Sequence, residues 1–209
     1  MNKRSNGKMK YRMLSILGLV IFFGVWEAAV RLGWVSHRSL NAPSEVVETF
    51  IYKLTNANPD GSTLPQHFFQ SLKLALTSFI IATIIGVPLG WIMGYYKVAD
   101  FLLNPLFEII RPIPPIAWIP IVILTMGIGM SAKVFIIFVA AFVPNVINSY
   151  LGIRLTDATL INVAKTFGAS DWKIFTTVCI PSSMNMVFTG IRLSLNASWT
   201  TLVAAEMLA

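Results

Sequence analysis

Charge is scarce in this chain. Of its 209 residues only 12% are Asp, Glu, Lys or Arg, against roughly 25% in soluble domains. Apolar residues make up 56%, and a water-soluble body this small would have to expose a large share of them. That balance argues against a soluble globular enzyme and excludes disorder, because so apolar a chain buries enough surface to offset its ordering entropy. A single cysteine, Cys179, permits no internal disulfide and no cysteine metal cluster. His-Glu-x-x-His and Gly-x-Ser-x-Gly are missing, so neither a zinc nor a serine hydrolase has a foothold. Gly-x4-Gly-Lys-Ser/Thr is missing too, so the chain is not expected to bind or hydrolyse ATP itself. Acids are the scarcer charge, 9 against 16 bases, for a net charge of +7. In an apolar chain this points first to a membrane, where basic residues flank the spans, and not to a nucleic-acid partner.

What is present is a series of long apolar runs, which predict an all-α, polytopic membrane helical bundle with about five transmembrane helices. The basic segment 1–12 precedes a first span at 13–30 whose only charge is Glu27, close to the ~20 residues a crossing needs. A cleaved signal peptide is its rival, but no A-x-A-like site follows. Glu27 and Arg31, four apart with the acid first, suit a helix leaving the hydrocarbon. Residues 31–71 form a polar external segment in which Pro43-Ser44-Glu45 starts an interfacial helix with the stripe Val46, Val47, Phe50, Ile51 and Leu54. Asn58-Pro59-Asp60-Gly61 is a turn, and His37 and His67 read as solvated.

From residue 72 to 209 the pattern is that of a membrane core. The second span is expected over 74–95, with Gly86, Pro88, Gly90 and Gly94 letting neighbouring helices approach. The third, 105–129, is interrupted at Arg111-Pro112-Ile113-Pro114-Pro115, a break that has to face protein or a water-filled cavity. Lys133 opens the fourth, which ends near Leu151, and the fifth runs from Pro181 to Ala209. With the N-terminus inside, the inner segments carry Lys3, Arg4, Lys8, Lys10, Arg12, Lys97, Arg154, Lys165 and Lys173. They outnumber Arg31, Arg38, Lys53, Lys73 and Lys133 outside, so the N-terminus and the 152–181 connection are expected to be cytoplasmic.

That connection is predicted to fold. Asp157 caps a helix with an apolar face at Leu160, Val163, Ala164 and Phe167, and Gly168 stops it. Ser170 caps a second helix that is expected to end before Pro181. A firm, partly apolar knob of this kind invites a partner, since long connections are usually functional.

The residues Asn162-Val163-Ala164, three more, Gly168, nine more, Val178-Cys179-Ile180-Pro181 resemble the E-A-A-x3-G-x9-I-x-L-P loop of the membrane subunits of bacterial ATP-binding-cassette importers. Trp26-Glu27 through Arg31-Leu32-Gly33, Arg111-Pro112-Ile113-Pro114-Pro115 and Ala205-Glu206-Met207-Leu208 are similar to the nitrate/sulfonate/taurine branch of those subunits. Asn162 and Val163 depart from the family's Glu and Ala. The resemblance implies a type I permease fold with six spans, a bacterial inner-membrane location, and a coupling helix seated in a cytoplasmic ATPase subunit that binds ATP and Mg. It also implies a second permease copy and an external substrate-binding protein. Asn162, Val163, Ala164, Phe167, Gly168, Ala169 and Pro181 are then the coupling residues, Ala164 and Gly168 being small because the partner comes close. The alternative is that they merely pack the loop onto its own domain. An odd number of spans would leave the C-terminus outside, so truncation before a sixth span is expected.

Arg192 stands near mid-membrane in the fifth span, with Asn196, Trp199 and Thr200 on the same helical face. Either this stripe, with Pro114 and Pro115, lines a path for a small anion such as nitrate, sulfonate or taurine, or Arg192 is an anchor bonded to carbonyls or to Glu108. Arg111, three residues on, could instead pair with Glu108. Bicarbonate or a vitamin precursor also remain open as substrates. A self-sufficient ion-coupled carrier or channel is the competing function; it would explain the broken span but has no use for the knob.

Overall fold

Helices form wherever the apolar runs stand, because a chain surrounded by lipid has to satisfy its backbone hydrogen bonds internally. The computed structural model describes residues 3–36 and 40–207, with side chains from Lys10 onward; His37, Arg38 and Leu208 lie outside the described residues. The order is α1 (Lys3–Arg31), α2 (Pro43–Thr55), α3 (Leu64–Tyr95), α4 (Lys97–Ile110), a 3-10 turn (Pro115–Trp118), α5 (Ile119–Met126), α6 (Met130–Arg154), α7 (Ala158–Thr166), α8 (Asp171–Ile174), a π turn (Phe175–Cys179) and α9 (Ile180–Glu206). The chain divides into two units, Met1–Phe68 and Phe69–Ala209.

In the first unit, α1 ends in a clasp on the start of α2. The Glu27 carboxylate accepts from the Ser44 N–H (3.1 Å) and the Ser44 hydroxyl (2.7 Å), and also from Arg31 Nε at 2.6 Å. An acid from another helix thus caps the positive end of α2. Glu45 caps it a second time, accepting from the Ala42 N–H at 3.2 Å. The apolar stripe of α2 is exposed throughout. In the turn that follows, Asp60 pairs with Lys53 and, at 2.7 Å, with His67 Nε2. His67 is therefore a hydrogen-bond neighbour of Asp60 on the surface and not simply solvated as expected. The Lys53 ammonium holds the Asp60 carboxyl down to about 2, below its usual 3.8. This contribution to the turn is present at neutral pH and disappears as pH falls through about 2.

The second unit is built around α6. Gly86, Gly90 and Gly94 form a stripe along α3 that lies directly on α6: a Cβ on Gly90 would stand 2.5 Å from the Val146 carbonyl oxygen, and one on Gly94 2.8 Å from that of Tyr150. On the other side Gly190 of α9 meets Asn148, and Gly152 of α6 meets Ser183. Such close approach is the usual basis of helix association in lipid, where apolar side chains gain nothing by leaving solvent. Asn145, fully buried, donates to Thr83 Oγ1 (3.1 Å) on α3, to Ser194 Oγ (2.8 Å) on α9 and to the Ala141 carbonyl, so one amide ties three helices together.

The observed helices differ from the expected spans in three places. The helix that carries the second span begins at Leu64, ten residues before the expected span, because Gln66 accepts from the Thr63 N–H at 2.8 Å and starts the helix there. The third span is not one helix with a flaw: α4 and the Pro115–Met126 leg are bent by 88°. Finally, the helix after Ser170 does not stop before Pro181 but continues from Asp171 to Glu206. The π turn makes this possible. Ile180 N–H bonds to the Phe175 carbonyl, one residue further back than in an α-helix, so the helix runs on past Pro181, which itself has no N–H to donate.

Among the described residues four helices are long and apolar enough to cross a membrane, five if the bent pair is one span. The packing is compatible with the bent pair serving as one span. Tyr95 at the end of α3 lies with Ile153 and Phe175 at one end of the unit, and Tyr150 reaches Asp100 of α4 there at 3.3 Å. Leu74 of α3 lies with Ile137 and Leu202 toward the other end, and Val122 of α5 packs on Ala132 and Ile136. The bent pair therefore carries the chain from one end to the other. Gly90→Ala tests the α3–α6 seam: it should lower the stability of the purified protein by about 1–3 kcal/mol, read as a fall in thermal midpoint in detergent, whereas Gly18→Ala, where open space surrounds the Cβ, should leave the midpoint in place.

Candidate functional site

The second unit carries a knob, residues 157–174, at the end where α6 finishes and the long α8–α9 helix begins. Its local order comes from three devices. Asp157 accepts from the Thr159 N–H at 2.8 Å and caps α7, and that hydrogen bond holds its carboxyl below the usual carboxylate value. Gly168 then turns the chain with φ +76. Its N–H bonds to the Lys165 carbonyl (2.9 Å) and the Ala169 N–H to that of Ala164 (3.0 Å), a paired closure that satisfies the last carbonyls of α7. Ser170 Oγ finally accepts from the Lys173 N–H at 3.4 Å and starts α8.

The knob has two faces. Ile161, Ala164 and Ala169 turn inward and pack on Ile153, Ile174, Phe175 and Cys179. Leu160, Asn162, Val163, Phe167 and Trp172 turn outward, and Phe167 is 87% exposed. Ala164 and Ala169 thus pack the knob onto its own domain, whereas Asn162, Val163 and Phe167 remain available. Within this chain Gly168 faces open space and takes a left-handed turn that glycine adopts most readily. Pro181 is exposed in the first turn of α9, just past the π turn.

The path candidates lie elsewhere on this unit. α9 buries Ser183, Val187, Gly190, Ser194, Ser198, Leu202 and Ala205 and exposes Arg192, Asn196, Trp199 and Thr200 on the remaining face. Arg192, near the middle of α9, has no hydrogen bond or ion pair with the described residues. Glu108 is taken instead by Arg111 at 2.9 Å, so the pairing of Arg192 with that acid is not formed. Thr200 Oγ1 donates to the Asn196 carbonyl at 3.0 Å. Pro114 and Pro115 stand at the 88° bend, where the 3-10 turn packs against α6 and α9. The 3-10 turn thus touches protein on one side, while Arg111, Pro112, Pro114, Ile116 and Ala117 are exposed on the other. Sequence reading did not single out Tyr95, Tyr96 or Trp172, which surround Phe175 beneath the knob with ring centroids 4.9–5.7 Å apart. Their only signal was aromatic residues at the ends of apolar runs.

Residues 86–209, which include the knob, the bend and α9, match the family described as the binding-protein-dependent transport system inner membrane component. The chain belongs to that family. It is 35% identical over 204 residues to a probable ABC transporter permease protein of Brucella melitensis, covering 98% of this chain and 80% of the relative. The taurine transport system permease protein of Escherichia coli is 33% identical, covering 94% of this chain and 71% of the relative. The nitrate import permease protein of Synechocystis is 32% identical, covering 81% and 63%. This permease-family chain is thus a multi-pass membrane component of a transport system, all-α and of the type I class.

Because the space around Gly168 is open, its replacement isolates the turn itself. Gly168→Ala should cost roughly 1–2 kcal/mol through the left-handed backbone, with Gly168→Asn milder, read as faster hydrogen exchange or proteolysis within 157–174 while the span helices keep their protection.

Proposed function

We propose that this chain is the permease subunit of an ATP-driven importer, forming the translocation path and taking its driving force from a cytoplasmic ATPase that grips the knob. The observation that carries this is the exposed aromatic, Phe167, on a knob whose ends are capped and whose inner face is packed. A rigid element offering an unburied ring at one end of a membrane bundle is built to be held by another protein. The knob runs through the π turn into α9 without a break and is joined by a short connection to α6, so force on it acts on two membrane helices as rigid bodies. ATP and Mg bind the partner, not this chain. In this reading the N-terminus and the knob are cytoplasmic, a second permease copy completes the path, and an external binding protein delivers substrate. The chain is embedded in the lipid of a bacterial inner membrane.

The substrate proposed is a small anion such as nitrate, sulfonate or taurine. Arg192 supports it, since an unpaired guanidinium in mid-span belongs against a water-filled cavity, and Asn196, Trp199 and Thr200 share its face. The names of the taurine and nitrate relatives point the same way. Packing of the 3-10 turn on α9 supports including Pro114 and Pro115 in this path.

Two measurements test the proposal. Phe167→Ala should weaken capture of the ATPase by about 30-fold, the effect of losing a ~2 kcal/mol anchor; uptake driven by an ion gradient with no ATPase bound would favour the self-sufficient carrier instead. Arg192→Gln should reduce uptake of an anionic substrate about tenfold or more, as expected for loss of a hydrogen bond to a charged group, and spare a neutral analogue. Equal loss for both would make Arg192 architectural.

A further inference from the structure

The knob is attached to the membrane helices by more than its two covalent ends. Tyr95, the last residue of α3, donates its hydroxyl to the Asp171 carbonyl oxygen at 3.0 Å. Asp171 opens α8, and its carbonyl also accepts the Phe175 N–H of the helix itself, so the tyrosine holds the first turn of that helix from outside. The Tyr95 ring meets Phe175, the first residue of the π turn, at 4.9 Å between centroids. Tyr96, which begins the link to α4, packs on both, 4.9 Å from Tyr95 and 5.6 Å from Phe175. Phe175 is buried, and Ile153 of α6, Ile161 and Ala164 of α7 and Trp91 of α3 close the same cluster. The knob is therefore seated in a socket whose floor is the α3–α4 junction.

We infer that Tyr95 is a positioning residue for energy coupling: it transmits displacement of the knob into α3 and, through Tyr96, into the bent α4–α5 span. This rests on reading the knob as the ATPase lever. The mechanical case has three parts. The contact lies on the hinge side of the knob, at the π turn, where a change of helix direction is cheapest because the regular hydrogen-bond ladder is already altered. The contact combines a directed hydrogen bond with ring packing, so it resists sliding as well as separation. Beyond it, α3 cannot slip along α6, because Gly90 and Gly94 put the two backbones in direct contact and Thr83 is bonded to Asn145. A push at Phe175 is then delivered to α3, α6 and α9 together and to the span that α3 leads into, which is what a concerted rotation of the bundle needs. Without Tyr95 the knob could tilt on the π turn while the third span stayed behind.

The test uses the complete transporter, assembled with its ATPase and binding protein in proteoliposomes, and reads ATP consumed per substrate molecule imported. Tyr95→Leu keeps apolar bulk but removes the hydroxyl and the ring; it should raise that ratio about tenfold while the ATPase still co-purifies. Tyr95→Phe keeps the ring and loses only the hydrogen bond, so it should restore most of the coupling, to within about twofold of the wild type. An unchanged ratio in both variants overturns the inference. So does a parallel fall of hydrolysis and uptake in Tyr95→Leu, which would make the tyrosine a support of the fold alone. Failure of the underlying reading shows separately, in the wild-type arm, as uptake that needs neither ATP nor a bound ATPase.

Discussion

The constraint on which the rest of this structure depends is that no backbone N–H or C=O can be left unpaired where water is absent. Every irregularity in the second unit is resolved in its terms. The proline break between α4 and α5 rests one side of its 3-10 turn on α6 and α9. Pro181, which has no N–H to satisfy, sits just beyond a π turn in which the Ile180 N–H reaches back to Phe175. The capped and glycine-closed ends of α7 and α8 lie in the knob, outside the long spans. The same rule explains the order of the molecule: regular helices cross the bundle, and turns occur only where protein or water can satisfy them.

Within that frame, cohesion comes from closeness and not from grease. Leu, Ile and Phe side chains cover much of the exposed surface, where lipid is as good a neighbour as protein. What joins α3, α6 and α9 is the set of positions with almost no side chain and the Asn145 amide that bonds across all three. A tightly seated trio is stiff, and stiffness suits a body that has to move as one. The two features left over on this unit point outward: an aromatic knob at one end and an arginine face along α9. Each places a group where the chain by itself offers no partner, one in the manner of a protein contact and the other of a polar cavity.

Much of this was legible from residues alone. The helices at 13–30 and 43–54, the fourth span, the caps Asp157 and Ser170 and the stop at Gly168 follow from local chemistry: an acid or hydroxyl before an apolar face, a glycine after it, an unbroken apolar run between. Glycines at 86, 90 and 94 announced a close helix contact, though not with which helix. Other features were out of reach of local reasoning. Pro181 reads as a helix stop unless the π turn before it is known, and that turn is held by packing around Phe175 and Cys179. The right-angle bend of the third span depends on what α4 and α5 find to pack on. His67 finds Asp60 because the chain folds back through the turn between them.

The sequence by itself determined which long apolar stretches are helices, where several of them start and stop, and that a folded knob joins two spans, because these depend on residues a few positions apart. Only the tertiary structure decided what faces what: that Ala164 looks inward and Phe167 outward, that Glu108 goes to Arg111 and leaves Arg192 alone, and that Tyr95 reaches Asp171 across 76 positions of chain. The physical reason is that helix formation is a contest among near neighbours. The choice of partner across a bundle depends instead on how closely two backbones can approach, and that distance is a property of both helices at once.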